Sequence, residues 1–354
     1  MFGGPGATNA ARSFVVCFGA LAAGALAAVL ALNVLVDPTE DWATGLVPSF
    51  AYSPRLRKVE LLSAWSGPPP RLVVLGSSRA MKLEPAVLAQ KTGLPAFNAA
   101  VNAAMLEDDL ALMAWMLDDR RLPLDTVVLA LDVEAFHGAA PINRQLLASP
   151  HLVRHLGLAL PERVRATVER LGEALTGARL GLSLKTLWYA WRGKIEPSAT
   201  FSPDGVVHYP AWERALAAGT FEPAPILART IDEYRERFRD YVRLDPRRVA
   251  WLGALYDLAA SRGVRVIAYL TPLHPQAVEV LSRETAYARL HDEVRDLAAR
   301  TAREHGLTFL DLSDLSSFGG SAELFFDAAH MREENARRLL DVLFPGPGGR
   351  HGAP

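Results

Sequence analysis

The 354-residue chain contains one cysteine, Cys17. A disulfide within the chain needs two and a thiolate zinc site needs more, so both are excluded. Surplus charge is missing too: 38 Lys and Arg face 39 Asp and Glu, a formal net charge of −1. Duplex binding relies on neutralising many phosphates, and this balance offers no basic surface for it, so no nucleic-acid partner is expected. No internal repeat is visible. Half of the residues are apolar and 22% are charged, which excludes a disordered chain. His151 and His155 have i, i+4 spacing, but HLVRH lacks a nearby third ligand, so neither a metal nor another cofactor is expected.

What is present begins with Ser13 to Val36, 24 residues without a charge. At ~1.5 Å per residue a helix of that length reaches roughly 36 Å, against a hydrocarbon core of about 30 Å. A signal peptide or a buried core helix would also be apolar. A signal peptide, however, has a shorter apolar region, a basic start and a small-residue cleavage site. Here Arg12 precedes the run and Asn-Val-Leu-Val-Asp-Pro follows it. The expectation is a single-pass transmembrane anchor at 13–36. Arg12 lies before it, and Asp37, Glu40 and Asp41 lie after it. The positive-inside bias then places residues 1–12 in the cytoplasm and the body outside.

Residues 37–70 read as a tether, interrupted by Pro38, Pro48, Pro54 and Pro68-Pro69-Pro70. Beyond them, short β-rich runs alternate with helical patterns. Strands are expected at Arg71–Leu75, Ala96–Asn98, Thr126–Leu131, Val264–Leu270 and Thr308–Leu312. Helices are expected at Glu84–Lys91, Leu106–Leu117, Asp245 to Arg262, Gln276–Glu304 and Arg332–Leu343. This rhythm implies βαβ units: an α/β fold, a three-layer sandwich with a mainly parallel sheet, formed by 71–137 and 245–345. Residues 138–244 break the rhythm and read as an insertion. It has helical pieces at Pro161–Thr176 and Pro225–Val242 around a stretch rich in aromatics: Trp188, Tyr189, Trp191, Phe201, His208, Tyr209 and Trp212. These rings suit either the packing of a small subdomain or a sugar-stacking surface. Trp188 and Trp191 are the candidates for the second role. Residues 346–354 read as a flexible tail.

Ligands of parallel sheets lie beyond the carboxyl ends of the strands. Gly76-Ser77-Ser78-Arg79 directly follows RLVVL, so a serine at a strand-to-helix turn would be exposed at that edge. Its own N–H, near a helix N-terminus, would face a developing oxyanion. Taken alone, G-S-S also suits a plain turn. Phe325-Phe326-Asp327-Ala328-Ala329-His330 follows the last strand. An Asp three residues before a His lets the carboxylate hold one imidazole nitrogen while the other faces a serine. Otherwise Asp327 caps a helix and His330 lies on the surface. The two signals fall on the same edge, and together they nominate Ser78, His330 and Asp327 as a catalytic triad. Arg79, which would bind an anionic substrate or simply pair with a helix carboxylate, and His274, in TPLHP after a strand, a site contact or a plain loop residue, are candidate substrate contacts. Asp108 and Asp109 read as a solvated helix face.

GSS after the first strand, FNAAVNAA after the second, LALDVEAF after the third and DAAH before the last helix resemble the SGNH/GDSL hydrolase superfamily. The pattern is similar more closely to its membrane-anchored branch in bacterial cell-envelope acylation, such as the alginate O-acetylation and teichoic-acid D-alanylation proteins. The resemblance covers roughly residues 35–135 and 245–345. It implies Ser78 as nucleophile, His330 as general base and Asp327 as its orienter. Ser77 stands where the family has an acidic residue, and Ala103 where a glycine N–H lines the oxyanion hole. Asp132 stands where an oxyanion-binding asparagine is common. A carboxylate there would repel the oxyanion unless protonated or turned away, which leaves Asn98 or Asn102 as substitute amide donors. The implied protein is a serine O-acyltransferase or esterase in the bacterial inner (cytoplasmic) membrane, its body facing the periplasm or exterior. It would act on an envelope glycan or another acyl ester, alongside an integral membrane acyl-donor protein. The alternative is a catalytically silent relative that binds glycan or serves as an assembly subunit.

Overall fold

A computed structural model describes residues 5–42, 44–50 and 53–345. The tail at 346–354 and the first four residues lie outside them. The chain divides into two compact units, one of residues up to 53 with 158–198, the other of 54–157 and 199 onward.

The larger unit is built on a five-stranded sheet of β1 Leu72–Leu75, β2 Ala96–Asn98, β3 Thr126–Leu131, β6 Arg265–Leu270 and β7 Thr308–Asp311. A short antiparallel hairpin, β4 Thr200–Phe201 and β5 Val207–His208, lies between β3 and β6 in the sequence. The main sheet has the order β2-β1-β3-β6-β7, and every pair is parallel. This is the expected α/β architecture. In β1 and β3 every side chain is buried, so both faces of the sheet are covered, which explains why these strands read as unbroken apolar runs rather than alternating ones. The chain moves outward from β1 to β2 and then returns past β1 to β3. The order therefore reverses between β1 and β3, and in such sheets ligands bind beyond the carboxyl ends at that point.

Helices join the strands. Asp245 accepts from the Arg247 N–H, and Pro246 opens the helix Pro246–Ser261, as the sequence indicated. The stretch 276–304, expected to be largely helical, forms two helices, Pro275–Glu284 and Tyr287–Glu304. No Gly or Pro marks the break. Thr285 makes it by donating from Oγ1 to Leu281 O (2.6 Å) and accepting from the Tyr287 N–H (3.2 Å). Within the stretch read as a tether, Pro54–Ser63 is helical.

The acidic run Glu107-Asp108-Asp109 does not form a solvated face. All nine residues of the helix Leu106–Ala114 are buried. Arg248 clamps Glu107 (2.8 and 3.1 Å), and Arg55 clamps Asp108 (2.7 and 2.8 Å). Paired carboxylates of this kind are the ones a core accepts.

The smaller unit contains the helix Pro5–Val36 and the helices Leu160–Ala174 and Gly177–Trp191. The last of these is helical where the sequence read as an irregular aromatic stretch. Among the described residues, Arg12–Val36 is one helix long and apolar enough to cross a membrane, with a mean hydropathy of 2.5. Asn33, near its end, donates to Ala174 O (2.7 Å).

Candidate active site

The site grows from the end of β1. Gly76 has φ of +128°, and a Cβ there would lie 2.6 Å from Ala130 Cβ and 2.7 Å from Ala130 O. Only glycine lets the chain leave the sheet this close to β3. Ser77 and Ser78 follow in a turn, with Ala80 N–H on Ser77 O (3.0 Å) and Met81 N–H on Ser78 O (3.3 Å). The next helix begins at Pro85, close to its expected start at Glu84, so the helix N-terminus expected beside the Ser78 N–H lies seven residues further on.

Asn98, at the end of β2, sets that turn. Its Nδ2 donates to Ala80 O (2.8 Å) and Leu83 O (2.9 Å), so both amide hydrogens are committed. Asn98 is therefore a positioning residue for the serine turn and not the oxyanion donor expected of it. The buried Lys58 donates to Asn98 O (2.6 Å) and to Gly205 O, tying β2 to the β4–β5 hairpin. Burial lowers the Lys58 pKa well below its ordinary value.

The base arrives from the other end of the fold. His330 Nε2 lies 2.8 Å from Ser78 Oγ, and His330 Nδ1 lies 2.7 Å from Asp327 Oδ2. Asp327 Oδ1 accepts from the N–H groups of Ala329 and His330, both at 2.8 Å. Burial alone would raise the Asp327 pKa. The adjacent imidazole and the two N–H groups reverse that, and the net shift is downward. A charged Asp327 holds the proton on Nδ1 and leaves Nε2 as the acceptor facing the serine. The turn carrying these residues is fixed at both ends. Phe326 N–H donates to His330 O (2.8 Å), and Ala328 N–H donates to Thr230 Oγ1 (3.0 Å).

The remaining candidates divide. Asp132, after β3, is buried and held by two partners. It accepts from Thr271 Oγ1 (2.5 Å) and pairs with Arg79 Nη1 (3.3 Å). Arg79 is itself buried, bonded to Thr271 Oγ1 (2.9 Å) and Glu134, so of its two readings the structure shows pairing with carboxylates rather than a contact free for an anionic substrate. Burial works to lower its pKa, yet Asp132 and Glu134 hold it well above the ordinary value. His274 is buried and caps a helix. Its Nδ1 accepts from the Gln276 N–H (3.2 Å) at a helix start, and its own N–H donates to Ala328 O (2.9 Å). Ala103 has φ of +45°, the left-handed backbone that a glycine takes without strain and alanine takes at a cost of ~1–2 kcal/mol. Its loop is held to the serine turn by Val101 N–H on Gly76 O (2.9 Å). Asn102 is half-buried in that loop. Trp188 and Trp191 belong to the smaller unit.

Three residues of the site were not singled out from sequence. Tyr209 and Trp212 lay in the aromatic stretch, and Phe326 adjoins Asp327. Trp212 stacks on Phe326 at 5.3 Å, and Tyr209 lies 5.1 Å from Trp212 and 6.4 Å from the His330 ring. Lys82 pairs with Glu213 (2.7 Å) and Glu333 (2.8 Å) over the Tyr209 ring. The i, i+3 spacing of Tyr209 and Trp212 was a visible signal, although nothing in it pointed to His330.

No protein-family model and no curated protein matches the chain. Among solved structures it is similar to one from Bacteroides fragilis described as a "putative acylhydrolase", at 11% identity over 82% of this chain and 93% of that one, with a TM-score of 0.35. A likeness this distant assigns no role to any residue here.

Asp109 lies directly behind the serine turn. It is buried, accepts from the Gly76 N–H, and has no partner at Oδ1 among the described residues. Burial, followed by the charges of Asp108 and Asp132, raises its pKa well above the ordinary carboxyl value. A carboxyl raised on folding contributes stability that is complete below the unfolded pKa of about 3.9 and is lost as pH rises through the folded value. Asp109→Asn keeps an acceptor for Gly76 and removes the titration. Thermal melts of this variant between pH 4 and 8 should show a flatter fall and, at pH 7, a melting temperature a few degrees higher, on the order of 1 kcal/mol. A variant that melts lower than the parent at pH 7 would contradict this.

Proposed function

We propose that this protein is a membrane-anchored serine O-acyltransferase or esterase working through an acyl-serine. The reading extends to a cell-envelope polysaccharide as acyl acceptor or ester substrate, with the body outside the bacterial cytoplasmic membrane and an integral membrane protein as acyl donor. The observation that carries it is the unbroken hydrogen-bonded line from Ser78 through His330 to Asp327. In the first step Ser78 Oγ bonds to the ester carbonyl carbon while its proton passes to His330 Nε2. The N–H groups of Ser78 and Ala103 are the candidate donors to the oxyanion. Collapse breaks the carbon–oxygen bond to the leaving alcohol, which takes the proton from His330. Water or a sugar hydroxyl then attacks the acyl-serine with His330 again as base. Pairing with Arg79 and Thr271 compensates the Asp132 carboxylate and so reduces its opposition to the oxyanion.

Polysaccharide is favoured by what flanks His330. The Tyr209 and Trp212 rings offer flat apolar faces, and a hollow of about 210 Å³ nearby is lined by Lys82, Ser202, Asp204, His208 and Glu333. A sugar ring presents apolar C–H faces and a rim of hydroxyls that suits such a pairing. Trp212→Ala is expected to raise KM for an acetylated oligosaccharide about tenfold, roughly 1.4 kcal/mol of ring contact. Turnover of a small aryl acetate should stay within about twofold. Equal losses on both substrates would remove the sugar assignment. The acyl-serine is tested by labelling intact protein with a fluorophosphonate and mapping the modified peptide, with Ser78 as the expected site.

A further inference from the structure

The exposed apolar residues of the smaller unit are not scattered. On the helix Leu160–Ala174, Leu160, Val164, Val168 and Leu171 recur at steps of four and three, and Leu175 continues the series. At 100° per residue all five fall within an arc of about 80°. Each is between 36% and 72% exposed. Glu162, Arg165, Glu169 and Glu173 occupy the opposite side. On Gly177–Trp191 the same steps place Leu184, Trp188 and Trp191 in one line, at 54%, 50% and 77% exposure. Two neighbouring helices thus each carry a largely exposed apolar stripe, crossed only at Trp188 by the Arg192 guanidinium 4.1 Å over its ring among the described residues, a pattern that marks an interaction surface.

The packing of the unit indicates what covers the stripes. In the apolar helix, residues 12–28 are exposed, and from residue 29 onward most side chains are half-buried or buried, with Ala31 and Leu35 still exposed. Asn33 is bonded to Ala174, Arg170 stacks 3.9 Å from the Trp42 ring, and Arg179 pairs with Asp41 at 2.9 Å. The free stretch spans about 25 Å, close to a hydrocarbon core of about 30 Å. The helix pair is therefore fastened where the spanning segment would leave the lipid tails, at the depth that tryptophan side chains favour. Residues 158–198 carry seven Lys and Arg against four Asp and Glu, a local excess of positive charge suited to anionic headgroups.

We propose that Leu160–Ala174 and Gly177–Trp191 lie in the outer bilayer interface, their apolar stripes among the lipid acyl chains. Trp188 and Trp191 are then lipid anchors rather than the glycan contacts first considered. The proposal rests on the membrane reading of the apolar helix and is independent of the Ser78 chemistry.

The test uses the full chain with Cys17→Ser and one new cysteine at a time, at Leu21, Val164, Arg165, Val168 or Glu169. Each is spin-labelled and reconstituted into vesicles of phosphatidylethanolamine and phosphatidylglycerol. Collision rates with oxygen and with a water-soluble nickel chelate report lipid against water. The expected oxygen-to-nickel ratio is several-fold higher at Val164 and Val168 than at Arg165 and Glu169. If Leu21 reads as lipid while Val164 and Val168 match Arg165 and Glu169, the proposal fails and the span stands. A face reserved for a protein partner would give that same result in pure lipid. If Leu21 also reads as water, the membrane reading fails with it.

Discussion

Replacing Ser78 with alanine is expected to abolish acyl-ester turnover, lowering kcat by ~10³-fold or more, with the fold intact. The side chain is half-buried, and the turn around it is held by backbone bonds and by Asn98, so the loss of one hydroxyl leaves those supports in place. The size of the effect follows from the role: a removed nucleophile leaves only residual catalysis from oxyanion donors and binding. His330→Ala should cost a similar factor, and the double variant little more than either alone, because the two act as one unit. Steady-state rates on an aryl acetate, with circular dichroism as the fold control, provide the measurement. Full turnover by Ser78→Ala would overturn the acyl-serine and favour the silent, glycan-binding alternative.

The parts of this site that a sequence displays are local. Ser78 after an apolar strand and Asp327 three residues before His330 are short-range patterns, and the parallel sheet brings both to one edge. The strands were legible because their runs are apolar throughout. What stayed hidden depends on partners far away in the chain. Asp132 looked like a charge facing the oxyanion because its partner Thr271 lies 139 residues on. Asp108 and Asp109 looked solvated because Arg55 and the Gly76 turn, which bury them, lie outside their helix. Gly177–Trp191 looked irregular because its glycines and aromatics lower helix propensity, and packing within its unit overrides them. Trp212 could not be placed beside Phe326, 114 positions later, from any periodicity.

Arg79→Leu is expected to be the most destabilising single change near the site. The guanidinium is the cation between two buried carboxylates, bonded to Glu134, 3.3 Å from Asp132, and linked to Thr271 at 2.9 Å. Its ring contact with Tyr234, at 5.4 Å, closes the remaining side. Removing it leaves Asp132 without its cation and Glu134 with only Arg237 at 3.9 Å, a loss of about 3–5 kcal/mol for a broken buried pair. Denaturant unfolding should show the midpoint shift, and adding Asp132→Asn should recover part of it by removing one orphaned charge. The activity effect has a separate cause. With Arg79 gone, Asp132 is free to turn toward Ser78, where its charge opposes the developing oxyanion. Asp132→Asn in the Arg79→Leu background should therefore restore turnover by a larger factor than it restores stability. Recovery of stability without any recovery of turnover would show that Arg79 supports the fold alone and does not keep the carboxylate away from the reaction.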